Sequence, residues 1–164
     1  MATFIAGDAY HAAMKSWSAF AAAEPAMAEK GRELIYQRGD GEGFFTTVAA
    51  NGIPRIHPLN VGIMDGRLLV FVQAHSAKAR DLETNPHYAF HAHQDPARPS
   101  EFMLRGEARL VSDADVRASA AGDWFFTVSD AYPLYELLIV HALLGERNSP
   151  KEWPPRYRSW RSAG

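Results

Sequence analysis

FFTTVAANGIPRIHPLNVGIMDGRLLVFVQAHSAKARDLETNP, residues 44–86, is the stretch around which the rest of the chain is organised. Phe44 to Ala49 is β-branched and aromatic and predicts a strand. Asn51-Gly52 follows as a hairpin signal, because both central positions of a type I′ turn need positive φ, which Asn and Gly tolerate. A second strand is predicted from about Arg55 to Met64. Asp65-Gly66 then repeats the turn chemistry, and Arg67 to Val72 returns as a third strand. Three strands joined by tight turns make an antiparallel meander.

Behind the meander, Ser76 is a good N-cap and the residues after it are helix formers until Asn85-Pro86 stops them. A capped helix start presents backbone N–H groups with no partner inside the helix. Here a hydroxyl and two cations, Lys78 and Arg80, lie within one turn of it. That combination predicts an anion site, and a phosphate is the anion it suits best. Arg55 or His57, on the neighbouring strand, adds a further basic group.

Working outward, residues 8–38 read as two helices. Met14, Trp17, Phe20 and Ala21 form one apolar stripe, Glu24-Pro25 breaks it, and a second helix is predicted from Ala26 to Gln37 with Met27, Leu34 and Ile35 facing inward. This hairpin is expected to cap one end of the sheet. Past residue 86, His87 to Gln94 alternates, with Tyr88, Phe90 and Ala92 on one face and His87, His91 and His93 on the other. Two histidines two apart on a strand can ligate a metal, but a polar outer or interface face of a strand whose other face is core is the favoured reading, and no metal site is assigned. Ser100 to Val111 is a long strand with Gly106 as a bulge or bend, and Asp113 to Ala121 a short helix. Leu134 to Leu144 reads either as a buried helix or as the last strand. The tail, residues 146–164, is rich in Pro, Arg and Trp without periodicity. Its tryptophans, Trp153 and Trp160, suit either stacking on a flat ring system or packing on a second subunit. One mainly β domain spanning residues 1–164 is therefore expected: helical hairpin at about 8–38, antiparallel barrel at about 43–145, then an irregular tail.

The 164 residues carry 17 Lys plus Arg against 19 Asp plus Glu, a near balance that gives no electrostatic footprint for nucleic acid or an anionic membrane. The absence of cysteine excludes disulfides, thiolate metal sites, iron–sulfur clusters and cysteine nucleophiles. The start, MATFIAGD, lacks the features of a signal peptide, and no run approaches the roughly 20 apolar residues of a membrane span, so a cytoplasmic protein is expected. No general base or nucleophile stands out, and no catalytic residue is assigned.

Five segments in order carry a resemblance: the hairpin, Arg55-Ile56-His57-Pro58, Asp65-Gly66-Arg67-Leu68, Ser76-Ala77-Lys78-Ala79-Arg80-Asp81-Leu82-Glu83-Thr84-Asn85-Pro86 and Gly106-Glu107-Ala108-Arg109. Together they resemble the flavin-binding split-barrel family of pyridoxamine 5′-phosphate oxidase and its relatives, over about residues 33–112. The resemblance implies a six-stranded split barrel and a homodimer with FMN at its interface. It implies a cofactor phosphate held by Arg55 or His57 together with Ser76 and Lys78, and a ring system lying along the strand after His57-Pro58. Leu59, Asn60 and Val61 would then contact the polar edge of the ring through backbone groups. Val72 and Gln73 would line the same groove, and Glu101, where the family often has Gln, would reach the flavin from the partner subunit. The family's biosynthetic oxidase carries an R-x-H element near its C-terminus, whereas this tail has Arg156, Arg158 and Arg161 with no histidine after His141. The chain therefore resembles the short members, some called general stress proteins, rather than the vitamin-synthesising enzyme. An FMN-dependent oxidoreductase is expected. The alternative is a non-catalytic binding or sensor protein that carries flavin, deazaflavin or haem on the same barrel.

Overall fold

The computed structural model describes residues 14–163. The predicted N-terminal helix is seen from Trp17 to Ala23 (α1); the part expected before residue 14 lies outside the described residues. Ser16 caps it, its Oγ accepting the Ala19 N–H at 3.2 Å. Pro25 opens α2 (Pro25–Ile35), at the first helical position where its missing N–H costs nothing. The two helices bury Trp17, Phe20, Met27, Leu34 and Ile35. Gly31 is required where α2 crosses the barrel, since a Cβ there would meet the Phe102 ring at 2.4 Å.

The strands are β1 (Glu42–Val48), β2 (Pro54–Asn60), β3 (Gly62–Met64), β4 (Arg67–Phe71), β5 (His87–Ala92), β6 (Glu101–Leu110), β7 (Leu134–Glu146) and β8 (Arg156–Arg161), with α3 (Ala77–Thr84) after β4 and α4 (Ala114–Gly122) after β6. All pair antiparallel in the order β2-β1-β5-β6-β7-β4-β3, with β8 on β7. The two ends of that path, β2 and β3, are consecutive in the chain. The strand predicted from Arg55 to Met64 is thus one bent strand whose first half pairs with β1 and whose second half pairs with β4. Its bend is pinned where the Val61 N–H donates to Gly41 O at 3.0 Å. Gly41 has φ +69°, and a Cβ on it would meet Val61 O at 2.0 Å. Counting β2 and β3 as one and leaving aside β8, which lies off this path, gives the six strands of the split barrel.

The two turns differ. At Asp65-Gly66 both residues have positive φ, 48° and 74°, as a type I′ turn requires. At Asn51-Gly52 only Gly52 does, at 83°. Ala49 N–H donates to Ile53 O at 2.9 Å, which makes a three-residue loop, and the Asn51 side chain accepts the Ile53 N–H at 3.2 Å. An Asx-type bond has replaced the left-handed conformation predicted for Asn51.

Gly106 marks the bulge, the register against β7 shifting between Arg105 and Gly106. Leu134–Leu144, left between helix and strand by its pattern, lies in β7, with Leu134, Leu137, Ile139, Ala142 and Leu144 nearly or wholly buried. The tail is not wholly irregular. Arg156–Arg161 pairs along β7, and Trp160 packs on Phe20 of its own chain at a centroid distance of 5.1 Å. Hydrophobic alternation is missing there because most of its side chains stay exposed, the strand being held by its backbone pairing with β7; Arg158 meets Glu146 at 3.2 Å and Arg156 meets Glu152.

The main core lies between the barrel strands and the helical hairpin and includes Phe45, Leu68, Val70, Val72, Phe90, Phe102, Leu104 and Ile139. A smaller cluster, Leu69, Phe71, Ala120 and Leu134, sits on the other face of β4 under α4. Among the described residues no helix is long and apolar enough to cross a membrane.

Candidate functional site

A groove of about 300 Å³ runs between the end of β2 and the segment connecting α4 to β7. Pro58, Leu59 and Asn60 form one bank, Gln73 and Lys78 the polar end, and Phe71, Trp124, Phe125, Phe126 and Tyr132 the other bank. Five of the ten residues predicted for the site, separated by up to 20 positions, meet there.

The polar end continues beneath α3. Ser76 caps this helix, its Oγ accepting the Ala79 N–H at 3.2 Å. His75, just before it, holds φ at 63°, and its carbonyl accepts a hydrogen bond from Arg80. One turn into α3, Asp81 is only 4% exposed. Its Oδ2 accepts the hydroxyl of the fully buried Thr47 at 2.7 Å, and its Oδ1 faces Arg55 Nη1 at 3.2 Å. Thr47 Oγ1 also lies 3.0 Å from His57 Nε2. Arg55 and His57 are thereby tied to α3 through a carboxylate and a hydroxyl. The His57 pKa is pushed below its ordinary value, first by burial and then by the Lys78 charge, with Arg55 adding to the effect and Asp81 opposing it.

The aromatic bank is a ladder of edge and tilted contacts. Ring centroids lie 5.0 Å apart for Phe71–Trp124, 5.8 Å for Trp124–Phe125, 5.1 Å for Phe125–Phe126 and 5.4 Å for Phe126–Tyr132. Arg117 packs over the Phe71 ring at 5.4 Å and donates to the carbonyls of Ser129 and Tyr132, which holds the connecting segment against the barrel. Trp124 lies against Gly62, where a Cβ would meet the indole at 2.8 Å. Its Nε1 is buried with no hydrogen-bond partner among the described residues. Phe125 and Phe126 remain 56% and 37% exposed. The run Asp123-Trp124-Phe125-Phe126 was the available signal for this bank: consecutive aromatics in a segment with neither strand alternation nor helical spacing.

Two predicted residues stand elsewhere. Val72 does not line the groove. Leu68, Val70 and Val72 share the inward face, so Phe71 and Gln73 take the groove side, and the Val72 N–H is bonded to Pro133 O at 3.0 Å. Glu101 lies outside the groove on the outer face of β6, 3.4 Å from His91 Nε2. Tyr157 stands beside it across Gly145 and bonds to it, which raises the Tyr157 pKa. Thr47, Asp81 and the aromatic bank are the site residues that sequence reasoning did not assign.

Outside the barrel, register places Pro58, Phe44, His91, Met103 and Leu143 in one row and Ile56, Thr46 and Ala89 in the next. Phe44 is 43% and Ile56 71% exposed, and the second row continues into Arg105 and His141, so this outer sheet face mixes apolar with charged and polar side chains. The three histidines of β5 and its end separate: His87 lies 3.7 Å from Glu107, His91 turns to Glu101, and His93 stacks on Phe44 beside Arg38.

No curated protein matches the chain by sequence. Among solved structures the fold is shared with a heme-binding protein from Mycobacterium smegmatis (TM-score 0.62, 17% identity), over 84% of this chain and 59% of that one. It is shared with General Stress Protein 26 from Bacillus anthracis (0.57, 19%), over 79% and 95%. A Listeria innocua protein provisionally assigned as a pyridoxamine 5′-phosphate oxidase also has it (0.56, 19%), over 70% and 94%. Residues 38–143, which hold the barrel from before β1 into β7 together with every groove residue, match the family model for pyridoxamine 5′-phosphate oxidase, and the chain belongs to that family.

Proposed function

We propose that this protein binds FMN in the groove and works as an FMN-dependent oxidoreductase. The observation that carries this reading is the convergence of Pro58, Leu59, Asn60, Gln73 and Lys78 on one groove whose opposite bank is aromatic. The two ends have the chemistry of the two ends of FMN. Lys78, the Ser76-capped start of α3 and the Arg55 guanidinium, 42% exposed beyond Asp81, suit a phosphate. The aromatic ladder suits a flat ring system. Bound there, the flavin supplies the redox chemistry; the chain positions it, excludes water from one face and sets the local charge. That division of labour fits a groove with no dedicated acid–base pair.

A homodimer is part of the same proposal. The outer sheet face that exposes Phe44 and Ile56 is the surface a second copy covers, and Glu101, which stands on that face beside His91 and Tyr157, is the residue offered to the partner's cofactor. Sedimentation velocity gives a dimer if this is right, and a monomer removes it.

A second reading, a non-catalytic carrier or sensor of deazaflavin or haem, is favoured by the likeness to a heme-binding protein. Of the residues lining the groove, Tyr132 is the one side chain of a type used as a haem axial ligand. The deciding experiment is the absorbance spectrum of untagged protein with mass analysis of what heat releases, followed by turnover with reduced nicotinamide. Flavin bands, released FMN and oxidation of the nicotinamide support the enzyme. A Soret band, a deazaflavin spectrum, or a colourless protein that refuses added FMN overturns it.

A further inference from the structure

His57 lies within electrostatic reach of Lys78, so its protonation and an anion held beside that lysine influence each other. Asp81 accepts from Arg55 Nη1 at Oδ1, 3.2 Å away, and from the Thr47 hydroxyl at Oδ2. The single proton of the Thr47 hydroxyl therefore points to Asp81 Oδ2, 2.7 Å away. The oxygen that donates it has only lone pairs left for His57 Nε2 at 3.0 Å, so that nitrogen carries a hydrogen and donates. In the neutral ring the unprotonated atom is then Nδ1. The tautomer of His57 is fixed from behind by a threonine and a carboxylate that are both buried.

The charged groups around the ring are Lys78 and Asp81 from α3 and Arg55 from its own strand; β1 contributes the uncharged Thr47. Two cations and burial outweigh one carboxylate, and the ring is held neutral below its ordinary pKa. A phosphate dianion beside Lys78 reverses that balance by adding two negative charges on the cationic side.

We propose that His57 is the proton-uptake residue of the anion site: it is neutral in the empty site and takes a proton at Nδ1 when a phosphate dianion binds. This rests on the FMN reading for the identity of the natural anion. The proton comes from solvent, and the bond formed is Nδ1–H, so binding consumes up to one proton and no other bond changes. Affinity then falls as pH rises through the window between the empty-site and bound-site pKa values, by up to tenfold per pH unit, and is flat above it.

The test uses apoprotein and two probes. Sulfate is a dianion that does not titrate in this range; FMN carries a phosphate that is fully dianionic above about pH 7. The His57 ring signal is followed by NMR from pH 5 to 8.5, alone, with sulfate and with FMN, and FMN affinity is measured by fluorescence quenching for wild type and His57→Gln. Gln keeps a donor for Thr47 but cannot titrate. The expected result is a His57 midpoint that rises with either probe, with FMN affinity in wild type falling, by up to tenfold per pH unit, between the free and bound midpoints that the NMR titration gives, and His57→Gln lacking that fall. An unmoved midpoint with FMN bound overturns the proton uptake and leaves the cofactor reading standing. A midpoint raised by sulfate in a protein that refuses FMN does the reverse. A midpoint moved by neither probe overturns the inference, and the wild-type NMR titration decides the matter even if His57→Gln does not fold.

Discussion

The two ends of the groove are built in opposite ways. At the polar end Thr47, Asp81 and the inner side of His57 are withdrawn from water and bound to one another, so each group has one orientation. At the aromatic end Phe125 and Phe126 stand in solvent on a connecting segment whose far end is tied down by Val72 N–H to Pro133 O and Ala74 N–H to Ala131 O, while the two rings are held by ring contacts. A preorganised charge site beside an adaptable apolar wall fixes where an anionic tail goes and leaves latitude for what the flat part of the ligand is. Substitutions at the polar end should therefore change affinity and stability together, whereas those at the outer aromatic end should change affinity alone.

The sharpest way to break this contrast is Ser76→Ala combined with Lys78→Ala. Charge-assisted hydrogen bonds are worth roughly 1.5–3 kcal/mol each, so FMN affinity by fluorescence quenching should drop at least about a hundredfold. Loss of the N-cap should cost about 1 kcal/mol of stability. An unchanged affinity would move the phosphate away from α3. Asp81→Ala comes next: it strips the acceptor from a wholly buried hydroxyl and should cost about 2 kcal/mol in urea unfolding. A variant as stable as wild type would show that the polar end is not held together by this carboxylate.

Gly62→Ala probes the root of the aromatic bank, where a methyl group would press on the Trp124 ring. A loss of about 1–2 kcal/mol with an altered near-ultraviolet circular dichroism spectrum is expected. An unaltered spectrum would mean that Trp124 is not seated on the barrel. Phe125→Ala should leave the urea midpoint in place, because the side chain is more than half exposed, and weaken FMN by about 1 kcal/mol. A shift of the midpoint would contradict the loose construction of this wall.

The smallest effect is on pH. His57 and His141 both have pKa values below 6.5 in the folded chain, His57 for the reasons above and His141 through burial beside Arg105 and Arg161. Below about pH 6.5 the unfolded chain binds more protons than the folded one, so apoprotein stability should decline as pH falls from there through the folded-state values. It should be independent of both histidines above that range. His57→Gln should flatten part of the decline; an equal slope in the variant would place the titration elsewhere.

What the sequence determined by itself was whatever depends on neighbours within a few residues. The Asp65-Gly66 turn, the Ser76 cap, the break at Pro25 and the Gly106 bulge all follow from φ preferences, capping and lost donors, and all stand where they were expected. Asn60 and Lys78 line one groove, but the expectation for Asn60 came from the resemblance rather than from its neighbours in the chain. Tertiary structure decided the rest. The bend at Val61 depends on Gly41, and the strand in the tail depends on β7 and the glutamates it meets. Asp81 is one more polar residue on a short helix until Thr47, 34 positions away, and Arg55, 26 away, close around it. The aromatic bank became part of the site only because the segment after α4 folds back onto β4. Local backbone preference is written in adjacent residues; burial and charge balance are properties of contacts that no short stretch of chain contains.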